Sequence, residues 1–373
     1  MLYWRQLAYA WMGSVKKITK DSKTYFFEDK PIFGLDIGHD MLRVVQFDMS
    51  HKMPRLKGYG SIAFDPTAIQ DSVIVKPELV AKAALNLFNK ELTGDISTKR
   101  VAVSLPAARA LTRAVQLPKM SAKEIDEAVK TEAEQYMPAN AENLYLDYTP
   151  IRESDDGIEV FVVAISKKIV DSYMLLTRML GLQVVLLDTA IGASAQLFAL
   201  DKQSGIPSVL VDFGTASTDI TVFNHGLVVT GTVPFGGDDV TMVIAKNLHV
   251  TPREAVMLKS KYGLSSSAVQ KQITAAIEPP LEQLTKEIRR TIRYYEQRYT
   301  KDPPIGQIVT MGGGANMPGI ADYLTDKMRL PARTFDPAAH IDFGHLRPFY
   351  NADRMSYVTA AGLAVTNPAE IFV

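Results

Sequence analysis

Apolar and polar positions alternate in the same arrangement at two places in the chain. The first copy begins at Leu35–Gly38 and runs to Phe47, and the second begins at Val211–Gly214 and runs to Phe223. Each copy predicts a buried strand, a tight turn with a glycine and a returning strand, and turn amides of this kind bind phosphate oxygens. One copy alone is ordinary turn chemistry. Two copies predict a pair of hairpins that together hold one nucleotide.

The segment around the first hairpin is predicted to be rich in strands and backed by one helix. Apolar side chains recur at helical spacing between Pro77 and Leu92, which is typical of a helix that packs on a sheet. The predicted strands are Ile32–Leu35, Arg43–Phe47 and Gly58–Ala63.

A compact α+β unit is predicted from Arg100 to Leu182, inserted into the first lobe. Ser121 and Glu124 have capping-box spacing, which marks the start of a helix. The predicted strands are Val101–Leu105, Leu111–Leu117, Leu144–Tyr148 and Glu159–Ile165, and the predicted helices are Ser121–Tyr136 and Lys167–Leu180. The apolar stretch that follows, from Val184 to Leu200, predicts a strand and then a helix.

A second lobe is predicted from Ile206 onward, where the hairpin pattern restarts. Between Gly237 and Tyr299 the pattern becomes mostly helical, with an apolar stripe along Ser266–Tyr299. A strand at Gln307–Thr310 then leads into Gly312–Gly314. Three glycines in a row allow the backbone to approach a flat ligand closely, so they are predicted to form an adenosine wall.

Composition limits the protein classes that the chain can belong to. The chain has 373 residues with 41 basic and 41 acidic side chains and no cysteine. Its length predicts at least two lobes, and its zero net charge gives no overall attraction to nucleic acid. The lack of cysteine excludes disulfides and thiolate chemistry and fits the cytoplasm. No apolar run approaches the roughly 20 residues that a membrane-spanning helix needs.

The N-terminal residues 1–30 form an aromatic and basic leader. Its apolar members include Trp4, Leu7 and Trp11, and Lys16, Lys17 and Lys20 follow them. Such a segment can lie in a membrane interface with its lysines toward anionic headgroups. The alternative is a helix that docks on the protein itself or on a partner.

Several residues suit the binding of a magnesium nucleotide. Asp36 and Asp212 fall at the inner ends of strands, where carboxylates orient hydrated magnesium. The run Gly214–Thr218 adds amides and hydroxyls, and Gly236-Gly237 opens a helix whose N-terminus favours an anion. A simple turn is the alternative for Gly236-Gly237.

Other catalytic motifs do not occur in the sequence. There is no His-Glu-x-x-His spacing, no Gly-x-Ser-x-Gly elbow and no Walker loop, which excludes the common zinc protease, lipase and P-loop classes. The stretch Arg289–Tyr295 mixes bases with aromatic residues, but glutamates share its helix. A solvated helix surface is the favoured interpretation there.

These motifs together resemble the actin-like ATPase superfamily, which includes sugar kinases, Hsp70 and the division protein FtsA. Within it the chain looks like a member of the PilM family of type IV pilus assembly proteins. The most specific similarities lie in Leu117–Ser121, Glu132–Pro138, Tyr145–Tyr148, Lys168–Tyr173 and Glu287–Arg290 with Tyr294-Tyr295. They occur in family order, and the resemblance covers Ile32 to Val365.

The resemblance implies an α/β, actin-like two-lobed fold of duplicated ribonuclease-H-like domains with a small inserted α+β subdomain. It places the leader at 1–30, the first lobe at 31–99 with 183–205 and 355–373, the insertion at 100–182, the second lobe at 206–245 and 304–354, and a helical subdomain at 246–303. It further implies ATP with Mg in the cleft between lobes. The expected partner is the cytoplasmic tail of a PilN-like inner-membrane protein, bound between the first lobe and the insertion.

Residue chemistry and resemblance together nominate a nucleotide site. Its predicted members are Asp36, Gly38, His39, Arg43, Gly214, Thr215, Ser217, Thr218, Gly236, Gly237, Glu254, Lys259, Gly312, Gly313, Gly314 and Met317. Asp36 and Asp212 are predicted to hold Mg through water, and Asp212 is the one candidate for a catalytic role. Arg43 stands where the family usually has a lysine, and Val256 where it often has a second glutamate.

The expected activity is ATP binding with slow hydrolysis or none. In the family an acidic residue often follows the Asp-Val pair that Asp188-Thr189 resembles, and here Ala190 stands there. An alanine cannot activate the attacking water. The expected role is a cytoplasmic scaffold at the inner face of the membrane that connects to pilus motor ATPases. A division filament protein like FtsA and, less favoured, a small-molecule kinase are the alternatives.

Overall fold

The structure is a computed structural model that describes residues 30–136, 141–154, 157–268, 270–350 and 353–366. The chain forms two compact units. The first unit runs to Gln196 and includes Ile341–Arg347 and the chain from Thr359, and the second comprises Leu197–His340 and Pro348–Val358. The predicted leader, apart from Lys30, and the chain end from 367 lie outside the described residues.

The first unit is built on a large mixed sheet. Its strands are β1 (Phe33–Ile37), β2 (Met41–Asp48), β3 (Arg55–Ala63), β6 (Thr93–Gly94), β7 (Arg100–Leu105) and β11 (Gln183–Thr189), in the order β11-β7-β1-β2-β3-β6. Strands β1 and β2 form the predicted hairpin, with Asp36 opposite Arg43. Strands β4 (Ile69–Gln70) and β5 (Val73–Ile74) make a separate small hairpin.

A second sheet in the first unit contains β8 (Ala110–Leu117), β9 (Leu144–Ser154) and β10 (Gly157–Ser166), with β10 in the centre. Strand β7, predicted as the first strand of the inserted unit, instead pairs in parallel with β1 and β11 of the large sheet. All of its residues are buried there, which two-sided packing requires. Strand β9 continues beyond its predicted end at Tyr148 because an edge strand tolerates Pro150 beside a bulge.

The second unit repeats the topology of the first sheet. Its strands are β12 (Ser208–Phe213), β13 (Thr218–Phe223), β14 (Leu227–Val233), β15 (Gln307–Met311) and β16 (Ala332–Thr334), in the order β14-β13-β12-β15-β16. The order β3-β2-β1-β7-β11 of the first unit has the same hairpins and parallel crossovers. The duplicated sequence pattern is therefore a duplicated sheet.

Helices cover these sheets with their apolar stripes. In the first unit they are α1 (Pro77–Lys90), α2 (Ala122–Tyr136), α3 (Lys167–Met179) and α4 (Ala190–Phe198), and in the second α5 (Gly237–Leu248), α6 (Pro252–Lys261), α7 (Gln270–Arg298) and α8 (Ile320–Met328); α9 spans Val358–Ala364. Short 3-10 turns lie at Pro66–Ala68, Ala107–Arg109, Ala141–Asn143, Gly313–Asn316, Pro337–His340 and Arg354–Tyr357. At the start of α2 the Glu124 carboxylate accepts from the Ser121 amide at 2.7 Å, which is one half of the predicted capping box.

Helix α9 completes the core of the first unit. A Cβ on Gly34 of β1 would lie 2.0 Å from the carbonyl oxygen of Ala360, and one on Gly362 would lie 1.8 Å from that of Ala193 in α4. Leu363 is fully buried with Ile32 and its neighbours. Only glycine allows backbones to approach so closely.

Within the described residues, no helix combines the length and the apolar character that crossing a membrane requires.

Candidate functional site

Asp36 lies at the end of the hairpin of the first unit and is almost fully buried. The Ser104 hydroxyl of β7 donates to its Oδ1 at 2.7 Å, and Nη1 of Arg43 lies 3.6 Å from Oδ2. Burial raises the pKa of Asp36, and the charge of Arg43 opposes that rise. Arg43, predicted to contact phosphate, is thus an ion-pair partner of the aspartate that is predicted to hold the metal. A magnesium ion beside Asp36 would compete with this guanidinium.

The turn after Asp36 has the predicted hairpin geometry. The amide of Gly38 donates to the Met41 carbonyl at 2.9 Å, and the Asp40 carbonyl accepts from the Phe64 amide at 2.8 Å. His39 is exposed. Among the described residues, no acceptor faces the amides of His39 and Asp40, so these two groups remain available to an anion.

The hairpin of the second unit has the same turn. Asp212 lies opposite Asp219, seven residues on, as Asp36 lies opposite Arg43. The amide of Gly214 donates to the Ser217 carbonyl at 2.9 Å, which matches the bond at Gly38 in both geometry and length. The sequence repeat is therefore a repeat of turn conformation.

The N-terminus of α5 packs directly on this turn. The amides of Gly237 and Asp238 donate to the carbonyls of Gly214 and Thr215 at 2.9 and 3.0 Å, and a Cβ on Gly236 would lie 2.3 Å from the Thr215 oxygen. The first amides of the helix therefore donate to the turn and are not available to a ligand. The amides of Thr215 and Ser217 have no acceptor in the part of the chain that the structure describes, and they provide the anion-binding donors instead.

Thr218, also predicted at the site, has a structural role. Its side chain is fully buried, and its hydroxyl donates to the Phe235 carbonyl at 2.7 Å. This bond fixes the loop that precedes α5. Thr218 therefore positions Gly236 and Gly237 against the turn.

Asp212 and Asp219 form a cross-strand pair on one face of the sheet of the second unit. Burial raises the pKa of Asp219 to about 6, although the Thr232 hydroxyl donates to its carboxylate. The described residues contain no group of three or more His, Cys, Asp or Glu that could hold a metal ion. One or two carboxylates completed by water and phosphate are the usual protein contribution to a magnesium site.

Two of the three glycines after β15 are required by the packing of the protein itself. A Cβ on Gly312, whose φ is +78°, would lie 2.2 Å from Oδ1 of Asp212, and one on Gly314 would lie 2.6 Å from Cβ of Phe213. Only a Cβ on Gly313 would meet a side chain that can move, the Ser356 hydroxyl at 3.0 Å. Close packing against β12 explains two of the glycines without a ligand.

Lys259, Glu254 and Met317 complete the predicted set. The ammonium of Lys259 donates to the Gly237 carbonyl at 2.7 Å and to the Thr241 hydroxyl at 2.8 Å, and burial lowers its pKa. It lies beside the start of α5, and the negative charge of Asp238 opposes the lowering of its pKa. The Glu254 carboxylate caps α6 through Thr251, and Met317 is buried.

Asp188 is a partly buried carboxyl near the end of β11, shortly before α4 begins. Its Oδ1 accepts from the Thr189 amide at 2.7 Å, and its Oδ2 accepts from Nε2 of Gln196 at 3.0 Å. Burial raises its pKa to about 7. Both oxygens accept hydrogen bonds that fix the start of α4. Asp188 therefore does not replace the acidic residue that the family often has at the position of Ala190. Ser104 could not be predicted as a site residue because its partner Asp36 lies 68 residues earlier in the chain. The raised pKa of Asp188 depends on burial, which the local sequence does not specify.

Comparisons with known proteins identify sequences that are similar to this chain. A family model described as "Type IV pilus assembly protein PilM" matches residues 34–367. The cell division protein FtsA of Bacillus subtilis (strain 168) is 24% identical over 204 residues, which are 48% of this chain and 45% of that protein. The chain thus spans a little under half the length of the curated relatives it matches.

Solved structures agree with that placement. A PilM-PilN type IV pilus biogenesis complex aligns with a TM-score of 0.77 and 25% identity, covering 90% of this chain and 98% of that chain. MreB5 of Spiroplasma citri bound to ADP aligns with a TM-score of 0.50 and 12% identity, covering 92% and 98%, which is a likeness of fold alone. The predicted actin-like α/β fold is confirmed.

Proposed function

Because the chain belongs to the family of the type IV pilus assembly protein PilM, we propose that it is an ATP-binding scaffold of the pilus assembly platform. The observation that carries this proposal is the alignment of 90% of the chain with a PilM-PilN complex. The scaffold acts at the inner face of the cytoplasmic membrane and connects to pilus motor ATPases. Membrane contact by residues 1–20 is part of the proposal and lies outside the described residues.

The nucleotide is proposed to bind the second unit through its turn and α5. A cationic surface with several hydrogen-bond donors lies in the second unit, which also contains Asp212. It consists of the free amides of Thr215 and Ser217, the N-terminus of α5 and the ammonium of Lys259. ATP with Mg suits this surface because the metal offsets the charge between carboxylate and phosphate. Asp36 is the matching carboxylate of the first unit. The proposed role of these residues is to bind and orient phosphate.

The expected ATPase activity is below one turnover per minute, since Ala190 has no polar group and Asp188 is engaged. Asp212→Ala should weaken Mg-dependent ATP binding by about tenfold, as loss of one charge-assisted contact does. Binding of a fluorescent ATP analogue and phosphate release measure the two effects. Asp322→Ala, at an exposed position of α8, is the matched control. Many turnovers per minute that disappear in Asp212→Ala would contradict the scaffold model.

The partner is proposed to be the cytoplasmic tail of a PilN-like membrane protein, bound where the β4–β5 hairpin meets the small sheet of the first unit. Arg109 and Asp71 form an ion pair of 2.7 Å across that junction. Val75 lies four residues from Asp71 and Leu111 two residues from Arg109, and both are unusually exposed at 42% and 43%. Exposed apolar side chains close in sequence to an ion pair are suited to binding a short peptide.

Val75→Asp combined with Leu111→Asp should weaken tail binding at least tenfold, because each change removes apolar contact and adds a charge to desolvate. The measurement is titration of a labelled synthetic tail peptide from the bitopic pilus protein. Leu85→Asp is the control, since Leu85 is a similarly exposed apolar residue, at 55%, on α1. Equal weakening by the control, or no binding by the unmodified protein, would argue against this partner. Recruitment to a division-protein tail instead would favour the FtsA-like alternative.

A further inference from the structure

Helix α7 of the second unit has a cationic outer face that the proposed nucleotide and tail sites do not use. Lys286, Arg290 and Arg293 follow one another at spacings of four and three residues, so they lie on one side of the helix. All three are exposed. Together with Gln297 they form a stripe about 16 Å long. We call this the α7 stripe.

The stripe lies directly opposite the buried face of α7. Leu284, Ile288 and Tyr295 on the inner side are fully buried, and at 100° per residue they are about half a turn from Arg290 and Arg293. The inner face fixes the rotation of the helix. The outward direction of the cations therefore follows from the packing of the helix on the core and does not depend on side-chain rotamers.

Few of these cations are used within the protein. Arg290 pairs with Glu287 at 3.2 Å while its side chain stays 80% exposed, and Arg289, beside the stripe, donates to the Lys327 carbonyl at 2.6 Å. Within the described ranges, the side chains of Lys286 and Arg293 make no hydrogen bond or ion pair. The face holds unused charge in a chain whose net charge is zero.

The arrangement of charges indicates what kind of partner fits. Glu282, Glu287 and Glu296 interrupt the cations along the same helix, and they would face any continuous negative surface such as a bilayer or a nucleic-acid backbone at a cost. A protein segment with separate carboxylates avoids them. Arginine also favours carboxylates, which its planar fork binds in pairs. Tyr294, 46% exposed next to Arg293, adds an aromatic contact.

We propose that the α7 stripe is a docking site for an acidic protein segment whose carboxylates recur at helical spacing. The site is on the second unit, and the proposed PilN-like tail binds the first, so this is a second partner surface. Its complementarity depends on register as well as on total charge.

Two synthetic helical peptides of identical composition test the proposal. One has glutamates at positions i, i+4 and i+7, and the other has them distributed around the helix. We expect the full chain to bind the first at least fivefold more tightly by fluorescence anisotropy at low salt. Lys286→Glu, Arg290→Glu and Arg293→Glu together should lower that affinity at least tenfold.

A matched control reverses three exposed charges elsewhere. Lys82→Glu and Lys90→Glu change α1 and Lys123→Glu changes α2, all at exposed positions of the first unit. Together they should alter binding less than twofold; circular dichroism verifies folding of both variants. Equal affinity for the two peptides, or equal loss in both variants, would overturn the proposal. So would tighter binding to vesicles of 70% phosphatidylcholine and 30% phosphatidylglycerol that requires the stripe. A stripe-dependent change in sedimentation of the protein alone would assign the face to a second copy of the chain instead.

Discussion

Gly236→Ala is expected to reduce ATP affinity at least 100-fold. The added Cβ would lie 2.3 Å from the carbonyl oxygen and 2.6 Å from the carbonyl carbon of Thr215, and backbone atoms cannot rotate away. The turn and α5 must therefore separate, which breaks the bonds from Gly237 to Gly214 and from Asp238 to Thr215. Overpacking of this kind costs about 1–3 kcal/mol of stability. The loss of ATP affinity is a separate effect of about 2.8 kcal/mol for 100-fold, and it arises because the phosphate-binding amides change direction.

Titration with a fluorescent ATP analogue and thermal melting measure both effects. Gly231→Ala is the matched control, since a Cβ at that position in β14 meets nothing within 4 Å. It should leave affinity and melting temperature nearly unchanged. A Gly236→Ala protein that is destabilised but binds ATP normally would show that phosphate is held elsewhere.

Asp188→Asn is expected to stabilise the protein at alkaline pH and to have much less effect in acid. Burial raises the pKa of Asp188 from 3.8 to about 7, so the folded state favours the protonated carboxyl more than the unfolded state does. The stability from this group is complete below pH 4 and is lost as the pH rises to about 7. A shift of that size corresponds to about 4 kcal/mol. An asparagine cannot ionise and escapes this loss, while it keeps only one of the two acceptor oxygens of Asp188.

Denaturant unfolding of both proteins between pH 4.5 and 8.5 tests this prediction. The difference in unfolding free energy should grow with pH in favour of Asp188→Asn and level off above pH 8. Asp326→Asn, at an exposed position of α8, is the matched control and should not reproduce this gain. A difference at Asp188 that is constant or shrinks with rising pH would mean that the carboxyl is ionised when folded.

Local patterns predicted most of the fold. The two hairpins and the helix stripes depend on periodicity between near neighbours, and each recurs in the structure within a few residues of its predicted bounds. The place of β7 could not be predicted in this way. A fully apolar strand fits either sheet, and its parallel pairing with β1 links residues about 70 positions apart.

The sequence predicts where the residues of the candidate site lie better than it predicts what each residue does. Gly214, Gly236 and Gly237 do meet at one turn. Thr218 instead bonds inward to Phe235, and Gly312 packs against Asp212. A hydroxyl or a glycine has the same letter whether it faces a ligand or its own backbone, and only the packed structure distinguishes the two.

Because α9 packs on the N-terminal sheet, the core of the first unit can be completed only at the end of synthesis. Gly34 and Ala193 leave the ribosome long before Ala360 and Gly362, which press on them in the finished core. The second unit, which ends at Val358, is fully translated before the last helix of the first unit emerges. The part of the N-terminal sheet that Leu363 of α9 covers therefore stays exposed until the end of synthesis, and this is the interval in which a chaperone can protect it.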